Sequence, residues 1–460
     1  MPEITPPDPA ELSALRKEAQ RLFREIYWNN FQTEGRGFFV PLQFMAVVWG
    51  VENCEGEELF GHIADGEHLR FVRRSHDFAR RLLNDGPDGI PEPRRREVAT
   101  DDVLRVIGKV FEALTVPRQF TRKPRVLWNA RHLQPYLGEL VHHDGVDIRP
   151  GDRNERTEVV DHLGFERVYY RGGGTLAYQM FRSDEDLARR ERIKGGLQDL
   201  VADSGDDVVG RLAETLHAAD ALEGEPWSDE QMVPYEEEGG ETNWTKNLRD
   251  GTDRILRSGT TGPKRIDYLM HWIPYCLARH MVERAFAVLG TMEEPPTPVD
   301  VGAEGTLRRI SQARFDQHGT VLREAVINRL DGFTDDHRAS MEKLFFRPIQ
   351  FYRATMAHVG AVNWNTGIRH YTLKLPILES IVHATVDKGE PMEFDNFCSE
   401  ILCGKLRLVV DPKSGREEKL TQSINHTDLK RNASGLKTRL AALGLITDYS
   451  DAHKMVGPRQ

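Results

Sequence analysis

Apolar positions near the N-terminus recur at helical spacing. Leu12, Leu15, Leu22, Phe23 and Ile26 fall on one face, Asp8 stands where an N-cap belongs, and Glu11 can complete a capping box. The pattern predicts a helix whose stripe needs a partner surface. A second apolar run, Phe38 to Val51, is interrupted by Pro41 and Gln43 and is too short to cross a hydrocarbon layer of about 30 Å, so it reads as buried core. GPDGIPEPRRRE, residues 86–97, has the composition of a linker. Residues 1–90 are thus expected to form an N-terminal helical unit.

Farther along, residues 100–222 read as an α+β unit. DVLRVIGKVFEAL (102–114) has helical periodicity and FERVYY (165–170) has strand character. Gly172 to Gly174 then supply the turn of a glycine-rich hairpin whose second arm is TLAYQMF. Residues 223–265, which include EEEGGE, are acidic and turn-rich and read as a loop or insert. Three long helices are predicted within residues 266–360: Ile266 to Leu289, Ala303 to Leu330, and Asp335 to Val359. Ile266, Leu269, Met270, Ile273, Leu277, Val282, Phe286 and Leu289 mark the first of them, and Pro274 should kink it. These helices resemble a scaffold. MEEPPTPVD (292–300) separates two of them as a rigid turn.

The last segment, residues 373–460, has an informative order. LPILESIVHATV (375–386) and EPMEFDNFCSEILCGKL (390–406) read as helices, LRLVV (406–410) as a short strand, and TDLKRNASGLKTRLAALG (427–444) as a third helix ending at a glycine suited to a left-handed C-cap. LITDYSDAHKMV then has an apolar, polar, apolar layout that suits a wing. The predicted architecture is mainly α with minor β and multi-domain: a central helical scaffold plus a C-terminal winged-helix-like module. Winged helices place their third helix in the major groove and let the wing touch the backbone.

Composition narrows the picture. The 460 residues suggest about three units at roughly 150 residues per domain, and 39% apolar residues is ordinary for a folded protein. The opening MPEITPPDPAELS is acidic and proline-rich and lacks the basic, then apolar, layout of a secretory signal. Cys54, Cys276, Cys398 and Cys403 are few and scattered, as in a reducing, cytoplasmic compartment. No membrane association is expected. A net charge of −10 argues against coating nucleic acid with the whole surface.

Contact with DNA would therefore be local. Residues 425–460 carry Lys430, Arg431, Lys437, Arg439, Lys454 and Arg459 against Asp428, Asp448 and Asp451, opposite in sign to the whole chain. Lys430, Arg431, Lys437, Arg439 and Lys454 are candidate phosphate contacts, with Asn432 and Ser434 as polar readers. Such a face can equally be solvated, and winged helices also dock proteins. A weaker nucleic-acid candidate is VPRQFTRKPRVLW (116–128), where Arg118, Arg122, Lys123 and Arg125 flank Phe120.

LPILESIVHATVDKGEPMEFDNFCSEIL and NASGLKTRLAALGLITDYSDAHKMVGP resemble the C-terminal region of proteins from bacterial multigene anti-phage cassettes. The chain is similar to the seventh-component family of the methylation-associated defence system. The resemblance covers the last ninety or so residues. It implies a cytoplasmic component of an antiviral complex that acts with other proteins of that complex beside a DNA methyltransferase. It supplies no catalytic residue, and no cofactor is expected.

Three patterns suggest other chemistry. SGTTGPK (258–264) resembles a phosphate-binding loop of adenylate-forming enzymes but departs from its spacing, and reads better as a turn before the helix at Ile266. HHDGVD places His142, His143 and Asp144 where a divalent metal could activate water, the alternative being a metal-dependent phosphohydrolase or nuclease. A polar loop in which His142 or His143 packs or caps is the better reading of these residues. His271, His280, His318 and His337 on the scaffold helices could cluster, although histidines on amphipathic helices are more often core or boundary residues.

Overall fold

Asp8 accepts a hydrogen bond from the backbone N–H of Ala10 and opens helix α1, Pro9–Tyr27, with proline at the first position, where no N–H is needed. The computed structural model describes residues 8–28, 39–52, 54–63, 68–73, 173–200, 225–228, 235, 242–291, 294–302, 305–363, 369–417, 424–448 and 453–458. Over these the chain is mainly helical with a few short strands. Contacts divide it into two units. One gathers residues 1–41, 171–197 and 233–460; the other gathers 42–170 and 198–232. The helices of 266–360 and the final segment thus belong to one unit, joined by segments distant in sequence.

The larger unit is built around a helix with almost no polar face. Helices α3 (Gly174–Arg182), α4 (Leu187–Gln198) and α5 (Asn243–Leu256) precede α6, Gly262–Val288, along which nearly every side chain from Ile266 to Phe286 is buried. A helix apolar all round has to be enclosed. Helix α6 is enclosed by α5, by α7 (Gly305–Ile327), by α8 (Asp335–Val359) and by α9 (Leu375–Thr385), and the stripe of α1 covers part of α6, α7 and α8. The close approach of α5 needs Gly251, because a Cβ there would sit 2.4 Å from the Trp272 ring.

Past α9 come strand β6 (Met392–Glu393) and helix α10, which starts as α-helix at Phe394–Asn396 and continues as π-helical turns over Phe397–Lys405. Helix α11 (Pro412–Glu417), helix α12 (His426–Leu443), and strands β8 (Ile446–Asp448) and β9 (Lys454–Val456) complete the segment. Leu429, Leu436 and Leu440 are buried along α12, and Gly444 closes it in the left-handed region at φ 69°. There its N–H bonds the carbonyl of Ala441, as a C-cap requires. Strands β6, β9 and β8 form one antiparallel sheet in that order.

Three local expectations change. TLAYQMF is not a hairpin arm but helix α3, whose Leu176, Ala177, Met180 and Phe181 are buried at helical spacing. The acidic stretch contains α5, capped by the Thr242 hydroxyl, which accepts from the Thr245 N–H. The LRLVV strand exists as β7 (Leu408–Val409), but it pairs in parallel with β3 (Thr297–Pro298) in the proline-rich turn and lies outside the β6-β9-β8 sheet. Strands β4 (Val362–Asn363) and β5 (His370–Tyr371) make a further antiparallel pair. In the smaller unit, β1 (Arg70–Arg73) pairs antiparallel with β2 (Glu225–Ser228), and the apolar run after Pro41 is the greater part of α2, Phe39–Glu52. FERVYY lies outside the described residues. Among the described residues no helix is long and apolar enough to cross a membrane.

Candidate functional site

The seven residues proposed on α12 and the wing separate into two groups. Lys430, Arg431 and Ser434 are exposed on one face of α12 together with His426, Thr427 and Thr438. Asn432 is fully buried and unavailable to DNA. Its Oδ1 accepts from the N–H of Val301 (2.6 Å) and Gly302 (2.9 Å), and its Nδ2 donates to the carbonyls of Val299 (2.8 Å) and Val410 (2.9 Å). The residue ties α12 to the turn after β3 and to the end of β7. Gly302 and Gly435 allow that approach, since a Cβ on either would come to 3.0 Å from the opposite Cα.

Arg439 is likewise structural. It is half-buried and donates to the Val301 carbonyl at 2.9 Å, the Thr372 hydroxyl at 3.3 Å and the Leu373 carbonyl, and burial lowers its pKa. Lys437 lies 4.5 Å from the Phe394 ring centroid, a cation–π contact, and Lys454 pairs with Asp448 at 2.5 Å across β8 and β9. Only part of the cationic face expected from sequence therefore looks outward. Arg118, Arg122, Lys123 and Arg125 lie outside the described residues, as do His142, His143 and Asp144.

Helix α6 carries a polar centre that periodicity does not reveal. Arg279, fully buried, faces Glu294 from the proline-rich turn at 2.5 Å, and its guanidinium lies 5.2 Å from the Trp244 ring. It also donates to the Thr297 hydroxyl at 3.3 Å. Burial raises the Glu294 carboxyl above its ordinary value, with Arg279 pulling the other way. His318 Nε2 lies 3.5 Å from Glu294, and its Nδ1 is 2.5 Å from the Tyr371 hydroxyl, which in turn bonds that of Tyr352. Burial pushes His318 well below its ordinary value, so the ring is neutral at pH 7 and its Nδ1 can accept the Tyr371 proton. A charge placed among Cys276, Leu277, Met281 and Val282 is the one sequence signal that could have located this centre.

The other scaffold histidines have separate partners. His271 Nδ1 lies 3.2 Å from the Val359 carbonyl, His280 stacks on Trp28 at 5.4 Å, and His337 Nδ1 accepts the N–H of Thr334 at the start of α8. They do not assemble into one site. Among the described residues no group of three His, Cys, Asp or Glu is placed to hold a metal ion. Burial raises the thiols of Cys276 and Cys398, which keeps them protonated and poorly nucleophilic. SGTTGPK supplies the turn between α5 and α6 and then, from Gly262 to Lys264, the first residues of α6, with Gly259 at φ 69° and the hydroxyls of Ser258 and Thr260 bonded at 2.9 Å.

A cleft of about 770 Å³ opens beside the polar centre, between α5, α6 and the ends of α9 and α10. Glu294, Trp244 and Trp272 line it, with Lys246, Lys405 and Arg407 among its cations. A smaller cavity of about 400 Å³ holds Asp300 with Arg308, His370 and Arg439 on its walls. No family model matches the chain, and neither a curated protein nor a solved structure matches it.

Proposed function

We propose that residues 373–460 form a winged helix that contacts DNA, and that the chain is a non-catalytic, DNA-associated component carried on its helical scaffold. The observation behind the reading is connectivity. Helix α9, strand β6, helix α10, strand β7, the short helix α11, helix α12, and strands β8 and β9 follow one another, and the sheet order is β6-β9-β8, with β7 paired elsewhere. That order leaves α12 as the third main helix of the segment, running directly into a two-stranded finger, the relation by which winged helices present one helix to the major groove. The exposed face of α12, with Lys430, Arg431, Thr427 and Ser434, supports the reading because phosphate contacts position a protein while short polar side chains reach base edges. With a net charge of −10, the contact is confined to this face. The resemblance to components of anti-phage cassettes supports assigning such a contact to a bacterial antiviral assembly, together with other proteins of that complex.

The test is filter binding to duplex DNA across a salt series. Replacing Lys430, Arg431 and Lys437 together with alanine should weaken binding and reduce the slope of log K against log salt by about 1 for each phosphate no longer neutralised. Arg439 and Asn432 are left intact because they hold the module together. Unchanged affinity and slope would overturn DNA contact through α12. Capture of a neighbouring defence protein by the same face, without DNA, would make the module a docking surface instead.

A further inference from the structure

Among the described residues lining the smaller cavity, Leu375 alone is apolar. Its volume of about 400 Å³ falls within the roughly 300–1,000 Å³ usual for a small-molecule site. Segments far apart in sequence meet there: Asp300 after β3, Arg308 in the first turns of α7, His370 of β5, Lys374 and Leu375 at the start of α9, and Arg439 of α12.

Asp300 is the buried anchor. Its N–H donates to the Tyr371 carbonyl at 3.0 Å, and its Oδ2 accepts from Arg308 Nε at 3.0 Å and lies 3.4 Å from His370 Nε2. Arg308 is thus held through Nε, while its two terminal nitrogens have no partner among the described residues. An arginine fixed in this way leaves the fork of its guanidinium open to carboxylate or phosphate oxygens.

The other cations on the wall lack counter-ions. Arg439, half-buried, donates to neutral oxygens of Thr372, Leu373 and Val301, and no carboxylate pairs with it among the described residues. Burial lowers its pKa against the pull of Asp300, the mark of a cation that its surroundings do not fully compensate. Lys374 is exposed at the cavity's edge and likewise has no carboxylate partner among the described residues. It is also the N-cap of α9 and gives that helix no side-chain acceptor, so the helix end adds partial positive charge. Arg308, Lys374 and Arg439 face the one carboxylate of Asp300, which leaves two positive charges over.

We propose that this cavity binds a small dianion, one phosphate group or a pair of carboxylates, held by the Arg308 fork with Lys374 and Arg439 beside it. Asp300 is the positioning residue that aims Arg308. Two leftover charges on a polar, partly enclosed wall favour a doubly charged ligand over a neutral or singly charged one. The site does not depend on the DNA reading.

Calorimetric titration of the full chain at constant ionic strength with inorganic phosphate, succinate and acetate tests it. Phosphate or succinate should bind with a submillimolar Kd, the tighter of the two naming the ligand class, and acetate should bind at least about tenfold more weakly. Arg308→Lys keeps the charge but removes the fork and should lose about tenfold in affinity. Lys374→Gln should lose a similar factor with an unaltered melting temperature, because that side chain is exposed. Lys430→Ala should bind the dianion as the parent does, which keeps this site apart from DNA contact through α12. Failure of both dianions to bind below millimolar concentration would overturn the proposal. So would acetate binding as tightly as they do, or Lys374→Gln binding as the parent does. Should Arg308→Lys lose stability along with its contact to Asp300, the Lys374→Gln result decides.

Discussion

Asn432 spends its whole side chain on backbone groups of two other segments. Its carbonyl oxygen and its amide each make two bonds, and the partners on Val299, Val301 and Val410 would be left without it in a buried place. Asn432→Ala should therefore cost about 3 kcal/mol or more, measured by urea denaturation. Lys430→Ala, two positions earlier on the exposed face, should change stability by less than about 0.5 kcal/mol. Equal effects of the two substitutions would contradict the division between buried clamp and outward contact. Sequence could not make this division, because Asn432 and Ser434 are both small polar residues set among the same leucines. Burial is decided by the turn at Val299–Gly302, which arrives from more than a hundred residues away.

At the scale of elements, two helical glycines should respond in opposite directions to the same change. Gly251 in α5 meets the buried Trp272 ring, three of whose atoms would lie within 2.5 Å of a new Cβ. Gly195 in α4 has nothing within 4 Å. Alanine is intrinsically better than glycine in a helix by about 1 kcal/mol, so Gly195→Ala should raise the melting temperature. Gly251→Ala should lower it, with a loss of stability of about 1–3 kcal/mol net of that gain, because the buried ring would have to shift. Near-UV circular dichroism should change only in the second variant, through Trp272. The long helices α6, α7 and α8 were legible in sequence because a buried stripe repeating every 3.6 residues extends over many turns. Helix α3 escapes a sequence reading because glycines before a short apolar run signal a hairpin as readily as a helix start. Strands β3 to β7 are only two residues long and carry no periodicity; their pairing is set by what lies opposite.

For the whole molecule, three buried histidines imply a pH limit. Burial lowers His280 to about 3, His383 to about 4, and His318 well below its ordinary 6.5, with Arg284, Lys264 and Arg279 adding to the effect in turn. In each case the unfolded chain binds a proton that the folded chain refuses, so stability is fully present above about pH 6.5 and is lost as pH falls below it. The loss approaches about 1.4 kcal/mol per histidine per pH unit and ends only near the folded values. Raised carboxyls at Glu283 and Glu294 act in the opposite sense, holding protons in the folded state above the usual 4.5. Denaturation curves at pH 7.5 and 5.5 should show a marked fall in stability at the lower pH. His318→Gln should reduce the pH dependence even if it lowers stability at pH 7.5, and an unchanged slope would assign the effect elsewhere.

What the sequence determined by itself was local: a mainly helical chain, the extents of its long helices, the N-cap at Asp8, the left-handed stop at Gly444, and an exposed basic pair at Lys430 and Arg431. These follow from propensity, capping and amphipathic spacing, which act between residues a few positions apart. The tertiary structure alone decided that Asn432 and Arg439 are clamps, that β7 joins the proline-rich turn, and that Arg279 meets Glu294 beside a cleft. The physical reason is that burial, ion pairing and strand partnership depend on which distant segments meet, and no periodicity within one segment records its partner.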